Sequence, residues 1–106
     1  MSIKTLLVSY ADPAKFDLGE IQRYLRSQGA SFATARGFTK RIKARCEKIG
    51  NVPYIGTARD DILPGLRMVP FERSAVILYM VESDRIRITN IFYGGRDYEA
   101  LMRQSP

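Results

Sequence analysis

Hydrophobic positions along the chain change period several times, and each change marks an element. From Ile3 to Tyr10 the apolar residues alternate loosely and favour extended backbone, which predicts a first strand. Asp12-Pro13 then reads as a helix start, with Asp12 as the N-cap acceptor and Pro13 at the first helical position, where its missing N–H has no helical partner to lose. Ala14, Leu18, Ile21 and Leu25 follow at helical spacing, and Gly29 suits a left-handed stop. Ser31 can cap a second helix whose apolar stripe is Ala35, Phe38, Ile42, Cys46 and Ile49, with Gly50 at its end. A short Gly-containing turn between such helices predicts an antiparallel hairpin.

Asn51 to Gly65 follows neither period and contains Pro53, Gly56 and Pro64, so it reads as an ordered loop, with Tyr54 and Ile55 expected to tack it onto the core. Pro64-Gly65 sets a turn. Leu66 to Phe71 reads as a strand, and Pro70, which cannot donate to a ladder, pushes it toward a sheet edge or an early end. Ala75 to Val81 is apolar on both faces, the pattern of a central strand. Glu82-Ser83-Asp84 supplies turn chemistry, and Arg85 to Tyr93 returns as an antiparallel partner. Its apolar pattern slips out of phase at Asn90-Ile91, which predicts a bulge there. Gly94-Gly95 breaks the strand, and Asp97 can cap a short helix bearing Tyr98, Leu101 and Met102. The expected architecture is one α+β domain over 1–106, a helical hairpin packed on one face of a mostly antiparallel four-stranded sheet, with a short C-terminal helix.

Composition narrows the chemistry. A chain of 106 residues forms a single modest core. Its lone cysteine, Cys46, excludes an internal disulfide and, lying on the apolar stripe, reads as a core residue rather than a nucleophile. The N-terminal apolar run is too short for a signal peptide and is interrupted by Lys4, and Ala75 to Val81 falls well short of the roughly 18 apolar residues of a membrane span, so a soluble cytoplasmic protein is expected. Seventeen Lys plus Arg against eleven Asp plus Glu give a net charge of +6, suited to nucleic acid or an acidic partner. The absence of histidine removes the commonest general base and the commonest metal ligand. On the second helix Arg36, Lys40 and Lys43, beside Arg41, Arg45 and Lys48, could bind phosphate or acid, although a solvated face of long side chains carries more weight.

Asp17-Leu18-x-x-Ile21-x-x-Tyr24, the Gly56-to-Asp61 loop, Leu63-Pro64-Gly65-Leu66-Arg67, Ile77-x-Tyr79 and Ile88-x-x-Ile91-x-x-Gly94-Gly95-Arg96-Asp97 are placed as in a known group of proteins. From about Leu6 to Met102 the chain resembles the ParE toxins of the RelE/ParE superfamily. The resemblance implies the toxin of a type II toxin–antitoxin pair, held inactive in a hetero-oligomeric complex with a ParD-like antitoxin, needing no cofactor or metal. ParE-type members poison DNA gyrase by stabilising its covalent cleavage complex with DNA. RelE-type relatives instead cut messenger RNA on the ribosome.

RNA cleavage needs a group to take the 2′-OH proton and cations to hold the developing charge. Relatives of the RelE kind carry an arginine near the start of the central strand, where this chain has Val76, and a tyrosine in the terminal segment, where it has Met102. Arg96 is the plain counterpart that remains, and an arginine is always protonated and a poor base. A non-enzymatic gyrase poison is therefore expected, with ribosome-dependent RNA cleavage as the alternative and a pure interaction module as a third reading. Tyr93 stands where many ParE members have a histidine before the terminal Gly-x-Arg-Asp.

Arg59, Arg67, Arg73 and Arg96 are the candidates for contact with gyrase or DNA phosphate. Arg59 could instead pair with Asp60 or Asp61, and Arg96 with Asp97 or a strand carbonyl. Tyr24, Phe32 and Phe38 are candidates to line the antitoxin groove in a helix-in-groove and strand-addition mode, against the ordinary alternative of core packing.

Overall fold

The computed structural model describes residues 5–104, so Ile3 and Lys4 of the expected first strand lie outside the described residues. The elements are β1 Leu7–Tyr10, α1 Asp12–Ser27, α2 Phe32–Ile49, β2 Thr57–Ala58, β3 Leu66–Phe71, β4 Ala75–Val81, β5 Arg85–Tyr93 and α3 Tyr98–Gln104. The sheet order is β1-β5-β4-β3-β2, with β1 parallel to β5 and every other pairing antiparallel. The sheet thus has five strands rather than four. The added one, β2, is two exposed residues paired with Arg67 and Met68, too short to impose a period on the stretch read as loop.

Helix ends follow local chemistry. The N-cap of α1 is Ala11, without a side-chain cap, so the helix starts one residue earlier than expected and Asp12 sits inside its first turn, where a carboxylate still faces the positive end of the dipole. At the other end Gly29 takes φ +99° while Ala30 N–H bonds to Leu25 O and Gly29 N–H to Arg26 O, a Schellman stop. Ser31 Oγ accepts from Thr34 N–H at 3.0 Å and caps α2 as expected. Gly50, by contrast, ends α2 in the right-handed region, at φ −58°. Its glycine is required by space: a Cβ there would lie 2.4 Å from Leu6 O, where the chain of β1 passes.

Alternation along β4 divides the core between two faces. Ile77 and Tyr79 join Leu18, Ile21, Ile42, Cys46 and Ile49 under the helical hairpin, whereas Leu78, with Leu66 and Phe92, packs against Tyr98, Leu101 and Met102 of α3. The bulge falls one residue before the expected site. Tyr79 pairs with Ile88 and Leu78 with Asn90, leaving Thr89 as the extra residue, with its hydroxyl on Leu78 O. That extra residue returns Ile91 to the same buried face as Ile86 and Ile88. Pro70 pairs inward with Val76, beyond the reach of β2, so its missing donor leaves no ladder broken.

The loop between α2 and β2 is anchored differently from expectation. Tyr54 and Ile55 are 67% and 54% exposed, not tacked onto the core. The anchor is Tyr79, fully buried, whose hydroxyl donates to Pro53 O at 2.9 Å and accepts from Gly56 N–H at 2.8 Å. A Cβ on Gly56 would meet that ring at 2.7 Å, so only glycine lets the loop pass. Among the described residues no helix is long and apolar enough to cross a membrane.

Candidate functional site

The four candidate arginines separate into two pairs. Arg59 is fastened: its guanidinium grips Asp61 through two bonds of 3.0 and 2.9 Å, reaches Glu99 at 3.2 Å, and donates to the Tyr98 hydroxyl. The hydrogen bonds from Arg59 hold the Asp61 carboxyl down at about 2, and the same bonds raise the guanidinium further above its already high range. Arg103 joins Asp61 from α3 at 3.1 Å. Arg59 therefore ties the loop before β3 to α3. Arg67 is also committed, donating to Gly56 O at 2.7 Å and lying 5.0 Å over the Tyr54 ring.

Arg73 and Arg96 are exposed and make no hydrogen bond or ion pair among the described residues. They meet at one end of the sheet, on a cleft of about 160 Å³ lined also by Pro70, Ser74, Val76 and Phe92. The local sequence builds this end. Glu72 and Arg73 both take left-handed backbone, at φ 47° and 59°, a costly arrangement for two non-glycine residues. Glu72 is held in place by Arg41 of α2, at 2.9 and 3.1 Å. Gly94 and Gly95, at φ +80° and +73°, turn the chain off β5, and Gly94 N–H bonds to Ser74 O at 2.9 Å. Arg96 then lies with its guanidinium 5.6 Å over the Phe92 ring. Val76, the position where RelE relatives were expected to carry an arginine, forms part of the cleft wall.

Arg96 also borders a second cleft of about 240 Å³, with Asp17, Glu20, Ile21, Tyr24, Ile91, Tyr93 and Gly94. Tyr24 is half exposed and its ring packs against Tyr93 at 5.7 Å. Of the three aromatics expected to line an antitoxin groove, Tyr24 alone borders this cleft. Phe32 is 58% exposed at the start of α2, beneath the Arg26 guanidinium. Phe38 is a core side chain, 9% exposed and edge-on to Phe71 and Tyr93, and offers a partner almost no surface.

Asp17 is the residue that reading the sequence passed over as a site group. Its Oδ2 accepts from Ile91 N–H at 2.9 Å, just beyond the bulge, and so pins α1 to β5. Burial raises its pKa, against the opposing pull of that N–H and of Arg96. The available signal was a carboxylate at the edge of an otherwise apolar helical stripe. No group of three or more His, Cys, Asp or Glu side chains gathers as a metal site among the described residues. The clefts offer instead two exposed guanidiniums, phenols and two carboxylates, Asp17 and Glu20, a set suited to binding anions and polar peptide groups.

The family model described as "ParE toxin of type II toxin-antitoxin system, parDE" matches residues 8–98. The chain belongs to the ParE toxin family. This ParE toxin has no significant match among curated protein sequences. Among solved structures it is similar to a chain of the "Chromosomal ParDE TA system from P. aeruginosa", with 20% identity, a TM-score of 0.73, and coverage of 86% of this chain and 98% of that one. At that identity the likeness is one of fold, and it extends to the α+β architecture described above. The sequence-based assignment to the toxin component of a type II toxin–antitoxin system thus holds.

Proposed function

We propose that this ParE toxin acts by binding rather than by bond cleavage, poisoning DNA gyrase by stabilising its cleavage complex with DNA. The observation that carries the reading is the pairing of Arg73 and Arg96, exposed and without a hydrogen bond or ion pair among the described residues, on one cleft whose wall at Val76 is apolar. Two guanidiniums that need not be taken from internal partners can meet phosphates or acidic side chains at little cost. In the same reading a ParD-like antitoxin neutralises the toxin in a hetero-oligomeric complex in the cytoplasm, and Tyr24 is its contact. Because Tyr24 and Arg96 border one cleft, a partner seated on the first covers the second.

Supercoiling and cleavage assays with purified gyrase test this. The wild-type protein is expected to inhibit supercoiling and accumulate cleaved DNA, and Arg96→Ala and Arg73→Ala to weaken both while folding normally. Inhibition undiminished in the double variant would remove these arginines from the mechanism. Absence of any effect on gyrase would remove the mechanism itself.

One observation favours the second reading, ribosome-dependent RNA cleavage. Asp17, made more basic by burial, shares a cleft with Arg96, and a positioned carboxylate can serve as a general base. Its Oδ2 is already committed to a backbone N–H that fastens α1 to the sheet, which weighs toward a structural duty. Cutting of ribosome-bound messenger RNA by the wild type, lost in Asp17→Asn, would establish this reading in place of the first.

A further inference from the structure

The turn between β3 and β4 is built against the preferences of its own residues. Ser74 N–H bonds to Phe71 O at 3.1 Å, and the two residues between, Glu72 and Arg73, both take left-handed backbone at φ 47° and 59°. Turns with two such residues favour Asn-Gly, because a Cβ crowds the backbone at positive φ. Neither glutamate nor arginine is chosen by the backbone here. Strain at consecutive residues persists only where the surroundings fix it.

Two contacts fix it. Glu72 is gripped twice by Arg41 of α2, which donates from Nε to Oε2 at 2.9 Å and from Nη2 to Oε1 at 3.1 Å. The Arg41 guanidinium also lies 5.3 Å from the centroid of the Phe38 ring, and that ring packs edge-on against Phe71, the residue before the turn. A planar guanidinium held over a core aromatic and engaged through two nitrogens has the geometry in which an exposed ion pair does count. On the other side Ser74 O accepts from Gly94 N–H at 2.9 Å, which ties the turn to the segment carrying Arg96. Arg73 stands between the two anchors, bordering the cleft, and itself makes no hydrogen bond or ion pair among the described residues. Without the grip Glu72 can relax toward ordinary φ, and the backbone rotation carries Arg73 away from the cleft.

We propose that Arg41 is a positioning residue for the arginine cleft: by gripping Glu72 it holds the strained turn in the conformation that presents Arg73 beside Arg96. The effect on inhibition rests on the gyrase-poison reading, whereas the effect on the turn does not. The composition of the turn follows from the same roles. Glu72 serves the grip and Arg73 serves the cleft, so the side chains compensate for a backbone that Asn-Gly would adopt more readily. Arg41 acts through Glu72 and needs no contact of its own with a target.

Nuclear Overhauser spectra of the ¹⁵N-labelled protein read the turn, and gyrase supercoiling assays read the consequence. The wild type should give strong intraresidue HN–Hα peaks at Glu72 and Arg73, as left-handed backbone requires. Arg41→Ala and Glu72→Ala should each weaken the Arg73 peak and raise the concentration for half-inhibition roughly two- to fivefold, the range an ion pair of this exposure can shift, with Tm nearly unchanged. Arg41→Ala combined with Glu72→Gly should regain both, because glycine takes positive φ without the grip. A residue that touched the target directly would show no such rescue. Adding Arg41→Ala to Arg73→Ala should cost nothing further. An Arg73 peak undiminished in Arg41→Ala would overturn the positioning role, and so would a loss of inhibition that persists in the Arg73→Ala background. If the wild type leaves gyrase unaffected, the gyrase reading falls and the Overhauser peaks alone decide the role of Arg41.

Discussion

Replacing Tyr79 by phenylalanine removes one oxygen atom and unfastens the loop between α2 and β2. The ring sits at 0% exposure and keeps its packing, so no cavity term enters. What is lost is the pair of hydrogen bonds to Pro53 O and Gly56 N–H, at 2.9 and 2.8 Å. Each is worth about 1 kcal/mol net, and the buried Gly56 N–H, left without a partner, adds a desolvation penalty of roughly 1 kcal/mol or more. The sum is about 3 kcal/mol, a large part of the ~5–15 kcal/mol that holds a domain of this kind together. In thermal unfolding this corresponds to a drop in Tm of roughly 10 °C or more. Urea titration should give a lower midpoint at unchanged m, because the surface exposed on unfolding is the same. The loop should loosen first, carrying with it Gly56 O, the acceptor that positions Arg67. A loss below about 0.5 kcal/mol would refute the reasoning, since it would mean that the loop stands without its anchor.

Three further outcomes follow from the same structure. Gly50→Ala should destabilise by several kcal/mol, on the order of a core overpacking defect, because its Cβ would be driven to 2.4 Å from Leu6 O; a denaturation midpoint within error of wild type would contradict this. Asp61 is depressed in the fold to about 2 by Arg59, so its contribution to stability is present above the ordinary carboxylate range and drains away as pH falls toward 2; Arg59→Ala should flatten that part of a stability-versus-pH curve. Burial pushes the Cys46 thiol up to about 12, so alkylation of the native protein at pH 8 should be slow and should become rapid on unfolding; fast native labelling would place the thiol at the surface.

The helical hairpin was legible because its apolar stripes are continuous and its ends carry position-specific chemistry, Ser31 at one cap and Gly29 at the other. The central place of β4 followed from a run apolar on both faces. Where reading failed, the cause was contact between distant residues. Nothing near Thr57 signals pairing with Met68, and nothing near Tyr54 signals that Tyr79, far along the chain, already satisfies the loop. The same limit applied to the site. The nearby Asp61 offered a local partner for Arg59, but Glu99 and Tyr98 on α3 and Gly56 O on the loop, which complete the separation of the fastened pair from the other two arginines, are distant in sequence from the side chains they hold. Phe38 was a groove candidate for which core packing carried more weight, and its packing against Tyr93 and Phe71 places it in the core.

The parallel pairing of β1 with β5, Leu7 opposite Arg85, has a consequence for the order in which the molecule assembles. The α1–α2 hairpin and the β3–β4–β5 meander join neighbours in sequence and can form early, but β1 must wait for a partner from near the other end of the chain. Closing a loop of that length carries an entropic cost before any contact compensates for it, so this step should limit the folding rate. During synthesis the same pairing means that β1 stays unmatched until β5 has emerged. Arg96 follows directly after β5. The arginine cleft is therefore completed only after β5 has been made, and a chain interrupted before β5 keeps the β2–β3–β4 pairings but lacks both the strand that joins β1 to them and the cleft.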